Sequence, residues 1–137
     1  MDITINYAAV LVAAIVSFIV GFLWHGPVFG KQWMKLSGIT EKEMKEAQKQ
    51  SMAPRILGAF VQQLVMSFVL AHFVYAWNVT DLSGALQLAF WIWLGFIATV
   101  LLNGVLWEKR TVNLYLFNIV YHFVALAVMT AVLALWK

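Results

Sequence analysis

Residues 5–24 read INYAAVLVAAIVSFIVGFLW, a stretch without a charged side chain. A helix of about 20 apolar residues, rising 1.5 Å per residue, crosses the roughly 30 Å hydrocarbon core of a bilayer. Three further charge-free stretches of similar length follow: Ile56–Trp77, Leu86–Trp107 and Leu114–Trp136. Lipid offers the backbone no hydrogen-bond partners, and the stretches lack the alternation of a barrel strand. The sequence therefore predicts an all-α fold, a four-transmembrane-helix bundle forming a single membrane domain over residues 1–137.

The composition agrees with this prediction. The chain is 64% apolar and 11% charged, whereas soluble domains are about 45–50% apolar and about 25% charged. The first stretch is longer than the apolar core of a signal peptide. The residues before it, which begin with Met1-Asp2, include no basic residue, so we expect the stretch to be a true span. The absence of cysteine excludes disulfides, thiol catalysis and thiolate metal sites.

The basic residues predict the orientation. With four spans, both termini and the 78–85 loop share one side, which carries only Lys137. The other side carries eight basic residues: Lys31, Lys35, Lys42, Lys45, Lys49, Arg55, Lys109 and Arg110. The positive-inside rule places those loops in the cytoplasm and both termini outside. Nucleic-acid binding is not expected, because the loop lysines alternate with Glu41, Glu43 and Glu46.

The inner loop, residues 25–55, is the one long connection. Gly26-Pro27 should end the first helix, because proline disfavours helix just before it. Phe29, Trp33 and Leu36 then follow at helical spacing. This spacing predicts a short amphipathic segment on the inner membrane surface, ending at Gly38.

A second, mostly polar helix is predicted in the same loop. Thr40 and Glu43 form a capping-box pattern that opens a helix over about residues 41–52. Pro54 suits the first turn of the second span. The loop is interpreted either as a surface that binds lipid or a partner protein, or as a simple connector whose lysines fix the topology.

Small residues recur along three spans and predict close helix packing. They are Ala9, Ala13, Ser17 and Gly21 in the first span, Gly95, Thr99 and Asn103 in the third, and Ala127, Ala131 and, one turn offset, Ala134 in the fourth. We expect the protein to form a homo-oligomer. The spacing leaves open whether the first-span row packs within one chain or between chains.

Polar side chains inside the spans fall at similar depths. Counted from the inner ends, Asn103 and Asn118 lie about 6 Å deep, Gln62 and Gln63 about 9–10 Å, Ser17 about 10 Å, and His122 about 12 Å. Glu108 and His25 lie at the inner edge of this layer. Each such group needs a partner in lipid. The layer is therefore either a hydrogen-bond network that fixes the bundle, or a pocket open inward for a proton, an ion or a small solute.

No cofactor, metal site or enzymatic activity is expected. His72 and His122 differ in depth by about 12 Å, too much for the two axial ligands of one haem. His72 should instead bond a backbone carbonyl or lie at the outer boundary. The chain contains none of the common hydrolase, phosphate-loop or zinc-protease motifs, and no paired carboxylates within the spans.

Three motifs resemble a bacterial integral-membrane family of unknown function, domain of unknown function seventeen-sixty-one. They are Gly21-x-x-Trp24-His25-Gly26-Pro27-Val28-Phe29-Gly30-x-x-Trp33-Met34, then Trp93-Leu94-Gly95-Phe96 with Leu102-Asn103-x-x-Leu106-Trp107-Glu108, and Asn118-x-x-Tyr121. The resemblance implies a four-span protein of the bacterial inner (plasma) membrane and supplies no activity. It singles out Trp24, Asn103, Trp107, Glu108, Asn118 and Tyr121.

Together these observations define a candidate ligand-binding site: His25, Gln63, Asn103, Glu108, Asn118, Tyr121 and His122. The first functional hypothesis is a ligand-binding or transport module that uses this site in the inner half of the bundle. The alternative is a structural or accessory membrane protein that binds partners or lipid through residues 25–55.

Overall fold

A computed structural model describes residues 3–136. This part of the chain is helical and contains no strands. Four helical segments of 22, 24, 26 and 24 residues are long and apolar enough to cross a membrane. We call them spans 1 to 4: Tyr7–Val28, Ala53–Ala76, Leu82–Trp107 and Val112–Leu135. The predicted fold class is confirmed.

The spans are built from several helices. Span 1 is α1 (Tyr7–Leu23) followed by a π-helical turn (Trp24–Val28), and the inner loop holds α2 (Gly30–Ser37) and α3 (Glu41–Gln48). Span 2 is α4 (Ala53–Ala76). Span 3 is α5 (Leu82–Ile92), a π-helical stretch (Trp93–Ala98), α6 (Thr99–Leu101) and α7 (Asn103–Trp107), and span 4 is α8 (Val112–Leu135).

Three spans begin earlier than their apolar stretches, and polar residues cap two of them, spans 3 and 4. Asp81 accepts a hydrogen bond from the Gly84 N–H at 2.8 Å at the start of α5. Thr111 accepts one from the Leu114 N–H at 3.2 Å at the start of α8. Pro54 occupies the first turn of α4, as predicted, where no N–H is needed. The predicted starts at residues 56, 86 and 114 therefore lie two to four residues late.

Span 4 lies at the centre of the packing. It contacts spans 1, 2 and 3, while span 1 also packs along span 2. The buried core draws on all four spans and includes Ala13, Leu70, Ala89 and Met129. Span 3 is therefore joined to the rest of the bundle mainly through span 4.

The small-residue rows of spans 1 and 3 differ in burial. In span 1, Ala9, Ala13 and Ser17 are buried within the chain, which answers the question that the spacing left open. In span 3, Gly95, Thr99 and Asn103 are exposed. The expectation that this second row packs in the bundle is wrong for the single chain. Span 3 instead packs on span 4 mainly through α5, and the π-helical stretch shifts the register beyond it.

Hydrogen bonds between spans fix their register. The Ser17 hydroxyl donates to Gln63 Oε1 at 2.8 Å, and the Ser67 hydroxyl donates to the Val10 carbonyl at 2.9 Å. The Trp93 indole N–H donates to the Ile119 carbonyl at 2.7 Å. Both serines are fully buried. Spans 1 and 2, and spans 3 and 4, are thus each joined by a polar contact as well as by packing.

The inner loop follows the sequence prediction closely. Regular α-helix ends at Leu23, and Gly26 departs from helical geometry with φ −118° and ψ −107°. α2 ends at Ser37 and is capped by Gly38, whose φ of +73° suits a residue without a side chain. The Thr40 hydroxyl caps α3 through the Glu43 N–H at 3.2 Å. α3 ends at Gln48, about one turn earlier than predicted.

Candidate functional site

Two separate clefts lie at the end of the bundle that carries the basic loops, which we call the basic end. The span 1–2 cleft has a volume of about 300 Å³ and is lined by His25, Gln63 and Tyr121, among others. The span 3–4 cleft has a volume of about 470 Å³ and is lined by Asn103, Glu108 and Asn118, among others. The polar layer predicted from depth is therefore divided between two places.

Tyr121 reaches the span 1–2 cleft because span 1 has a glycine opposite it. A Cβ atom at Gly21 would lie 2.6 Å from the Tyr121 hydroxyl oxygen. The Tyr121 ring packs against His25, with 4.6 Å between ring centroids, and against Trp24 at 5.9 Å. Gly21 thus provides the space in which the tyrosine joins spans 1 and 4.

His25 is held in a defined orientation. Its Nδ1 lies 2.9 Å from the Gly21 carbonyl oxygen. Since a carbonyl oxygen only accepts, Nδ1 carries the proton and donates. The imidazole also meets the Trp33 ring edge to face at a centroid distance of 5.5 Å, which connects it to α2. The ring is therefore fixed by its own helix, by the amphipathic helix and by span 4.

One end of the Gln63 amide is hydrogen-bonded within the bundle, and the other is not. Its Oε1 accepts the bond from Ser17, while its amide nitrogen makes no recorded hydrogen bond within residues 3–136. An amide nitrogen can donate two hydrogen bonds. Gln63 therefore both joins spans 1 and 2 and offers donors at the cleft.

Arg55 is a lining residue that the sequence interpretation missed, because it was counted only as a topology charge. It lies four residues before Ala59 and eight before Gln63, and all three line the same cleft. That helical spacing is the signal by which it could have been found. Phe18, Phe22 and Ile56 complete an apolar wall.

The span 3–4 cleft is polar and open. The side chains of Glu108 and Arg110 are 66% and 61% exposed, with 3.8 Å between Glu108 Oε2 and Arg110 Nε. A pair so exposed contributes little to stability. The Tyr115 hydroxyl, also at this cleft, donates to the Ala98 carbonyl at 2.7 Å. The arrangement joins the ends of spans 3 and 4 and leaves Asn103 exposed.

The three histidines have different surroundings in the bundle. Glu108 lies in the span 3–4 cleft and His25 in the span 1–2 cleft, so two residues predicted at the same edge of the polar layer line different clefts. His122 packs against Tyr121 at 4.9 Å and lines neither cleft. His72 Nδ1 lies 2.8 Å from the Phe68 carbonyl oxygen, which confirms the predicted backbone bond. Within residues 3–136, no three His, Asp or Glu side chains gather as metal ligands.

An aromatic cluster lies beside the span 1–2 cleft. The Trp24 ring packs against Phe29 at 4.6 Å and against Phe117 at 6.0 Å. These three residues line an apolar groove of about 450 Å³ together with Leu36 of α2. The Trp24 Nε1 is buried and has no hydrogen-bond partner within the described residues. α2 is thus packed onto the bundle and is not a detached segment.

A comparison over nearly the whole chain identifies its family. A family model described as a protein of unknown function (DUF1761) matches residues 8–134. The chain belongs to this family. The match confirms the resemblance carried by the three motifs, and it covers all four spans of this DUF1761 member. No curated protein and no solved structure matches the chain.

Proposed function

We propose that this DUF1761 protein is a ligand-binding membrane protein whose binding site is the span 1–2 cleft. The proposal depends mainly on one observation: His25, Gln63 and Tyr121, from three different spans, line a single cleft. Its volume of about 300 Å³ lies at the lower end of the range for small-molecule sites, about 300–1,000 Å³. The proposal includes no catalytic step.

The chemistry of the cleft favours binding over a purely structural network. A structural network would use up its polar groups inside the bundle, since an unpaired polar group is costly in lipid. Here Ser17 and Gln63 account for the structural contact. The Gln63 amide nitrogen, the Tyr121 hydroxyl and Arg55 make no hydrogen bond or ion pair recorded within residues 3–136. These groups can serve a ligand.

The site residues split between two clefts, and transport through one continuous polar layer therefore has less support than binding. The span 3–4 cleft keeps Asn103, Glu108 and Asn118, and span 4 lies between the two clefts. The proposed ligand site thus retains His25, Gln63 and Tyr121 from the sequence-based set and adds Arg55.

Cysteine labelling tests the proposal, because the natural chain has no cysteine. Ala59→Cys places a small thiol at the cleft, and Val61→Cys places one on the 47% exposed apolar surface of the same helix. In detergent, a charged methanethiosulfonate reagent should modify Ala59→Cys faster, because only the cleft admits polar solutes. Equal or slower modification of Ala59→Cys would contradict a ligand-accessible cleft.

A second candidate function remains, which is binding of a partner through the inner loop. One observation favours it: α3, Glu41–Gln48, has no buried residue, and five of its eight residues are charged. α3 therefore contributes no packed side chain to the bundle and is free to contact another molecule.

A further inference from the structure

We propose that the ligand of the span 1–2 cleft is an anionic phospholipid, bound by its phosphate headgroup. This inference rests on the proposed function and names its ligand class. Three features of the cleft favour this ligand: its charge, its hydrogen-bond donors and the apolar wall that leads out of it.

The charge of the cleft favours an anion. Arg55 is the charged side chain that lines it, and its described lining contains no Asp or Glu. Within residues 3–136, the recorded ion pair joins Arg110 to Glu108, so no carboxylate neutralises Arg55. A guanidinium group binds phosphate oxygens through two parallel hydrogen bonds. A phosphate is therefore the ligand group that this cleft complements.

The donors around Arg55 reinforce this preference. The Gln63 amide nitrogen and the Tyr121 hydroxyl line the same space. Met52, Arg55 and Ile56, from the start of the 24-residue helix α4, also line it. The N-terminal end of a helix carries a partial positive charge, which favours an anion.

The apolar wall distinguishes a lipid from a soluble phosphate. Phe22 is 69% exposed and Ile56 is 52% exposed, and both line the cleft with Phe18. These side chains continue from the polar floor onto the lipid-facing surface of spans 1 and 2. An acyl chain can lie along them while the headgroup meets Arg55. A free phosphate would use none of this wall.

The position in the membrane is also that of a headgroup. Arg55 comes directly before the charge-free stretch that begins at Ile56, so its guanidinium lies at the level of the lipid phosphates. Basic pockets between transmembrane helices are a known means of binding anionic headgroups. The cleft volume of about 300 Å³ suits a headgroup, with the acyl chains remaining outside.

The test compares two lipids with identical acyl chains, phosphatidylglycerol and phosphatidylcholine, bound to the purified protein in detergent. Native mass spectrometry measures the bound fraction of each. Wild-type protein should bind phosphatidylglycerol about fivefold more tightly, the effect of one arginine near the membrane surface. Arg55→Gln should lose most of this preference. Lys49→Gln, which removes an exposed charge outside the cleft, should keep it.

Labelling of Ala59→Cys locates the bound lipid. Phosphatidylglycerol should slow the modification of this cysteine, and phosphatidylcholine should slow it less. Equal binding of the two lipids, a preference that survives in Arg55→Gln, or binding without protection of Ala59→Cys would each overturn the proposal. Inorganic phosphate that binds as tightly as phosphatidylglycerol would assign the site to a soluble anion and also overturn it.

The two proposals fail in different ways. If Ala59→Cys reacts faster than Val61→Cys but the protein shows no preference between the two lipids, the phospholipid is excluded as the ligand and the cleft remains a ligand site. An Ala59→Cys that reacts no faster than Val61→Cys, with no lipid added, contradicts the ligand-accessible cleft itself.

Discussion

At Gly21, a missing side chain decides where a tyrosine lies. The Tyr121 hydroxyl occupies the space that a Cβ would take, 2.6 Å away. The Tyr121 ring is held by its neighbours Trp24 and His25, so it cannot move aside without disturbing both. One backbone position of span 1 therefore sets the geometry of a residue on span 4.

Gly21→Ala should destabilise the protein and weaken binding at the span 1–2 cleft. The added methyl group forces Tyr121 to shift, and overpacking of this kind costs about 1–3 kcal/mol. Gly58→Ala is the matched control, because nothing lies within 4 Å of the Cβ it would add. Unfolding in detergent measures both variants. Equal stability of the two would contradict the tight contact between Gly21 and Tyr121.

Ser67→Ala should cost more stability than Thr130→Val. Ser67 bonds across to the Val10 carbonyl at 2.9 Å, whereas Thr130 bonds back to the Leu126 carbonyl of its own helix at 2.7 Å. Interhelical hydrogen bonds in membrane proteins contribute about 0.6 kcal/mol on average and about 1.7 kcal/mol at most. The free energy of unfolding of the two variants checks the order. A larger loss of unfolding free energy for Thr130→Val would contradict the greater contribution to stability assigned to the bond between spans 1 and 2.

Whole helices differ in how well the sequence predicts them. The charge-free stretches predict four spans, and the caps at Thr40 and Gly38 are readable because capping uses few residue types. The π-helical stretch Trp93–Ala98 has no such local signature. It turns the residues after it about the helix axis, and Thr99 and Asn103, which follow it, are exposed.

α3 should be dispensable for the fold. None of the residues Glu41–Gln48 is buried, so a Gly-Ser linker of equal length in their place should leave thermal stability in detergent unchanged. A linker within α2, over Gly30–Ser37, is the contrasting variant and should lower stability, because Trp33 packs against His25. A clear loss of stability in the α3 variant would contradict this division. Loss of a co-purifying membrane partner at unchanged stability would support the second candidate function.

For the whole molecule, the sequence predicts the depth of each polar residue but not its direction. Asn118 and Tyr121 both belong to span 4 and differ little in depth, yet they line different clefts because their side chains leave the helix in different directions. Depth follows from counting along one helix, whereas direction depends on which helices are neighbours. The sequence shows that Arg55 shares a helical spacing with Ala59 and Gln63, but the cleft that all three line forms only where span 2 packs against span 1.

The orientation in the membrane stays a prediction with a direct test. Single cysteines replace Ser51 on the basic side and Ser83 on the opposite side, both of them exposed. A membrane-impermeant maleimide added to intact spheroplasts should label Ser83→Cys and leave Ser51→Cys unlabelled until the membrane is opened. The reason is the bias of eight basic residues to one. The reverse labelling pattern would place both termini in the cytoplasm.

The central place of span 4 has a consequence for biogenesis. Of the four spans, it leaves the ribosome last, and it is the one that contacts all three others. Spans 1 and 2 can pair as soon as they are inserted, since Ser17 and Ser67 already join them. Span 3 lacks its main packing partner until span 4 is inserted. Assembly of these four spans is therefore completed only after span 4 has been translated.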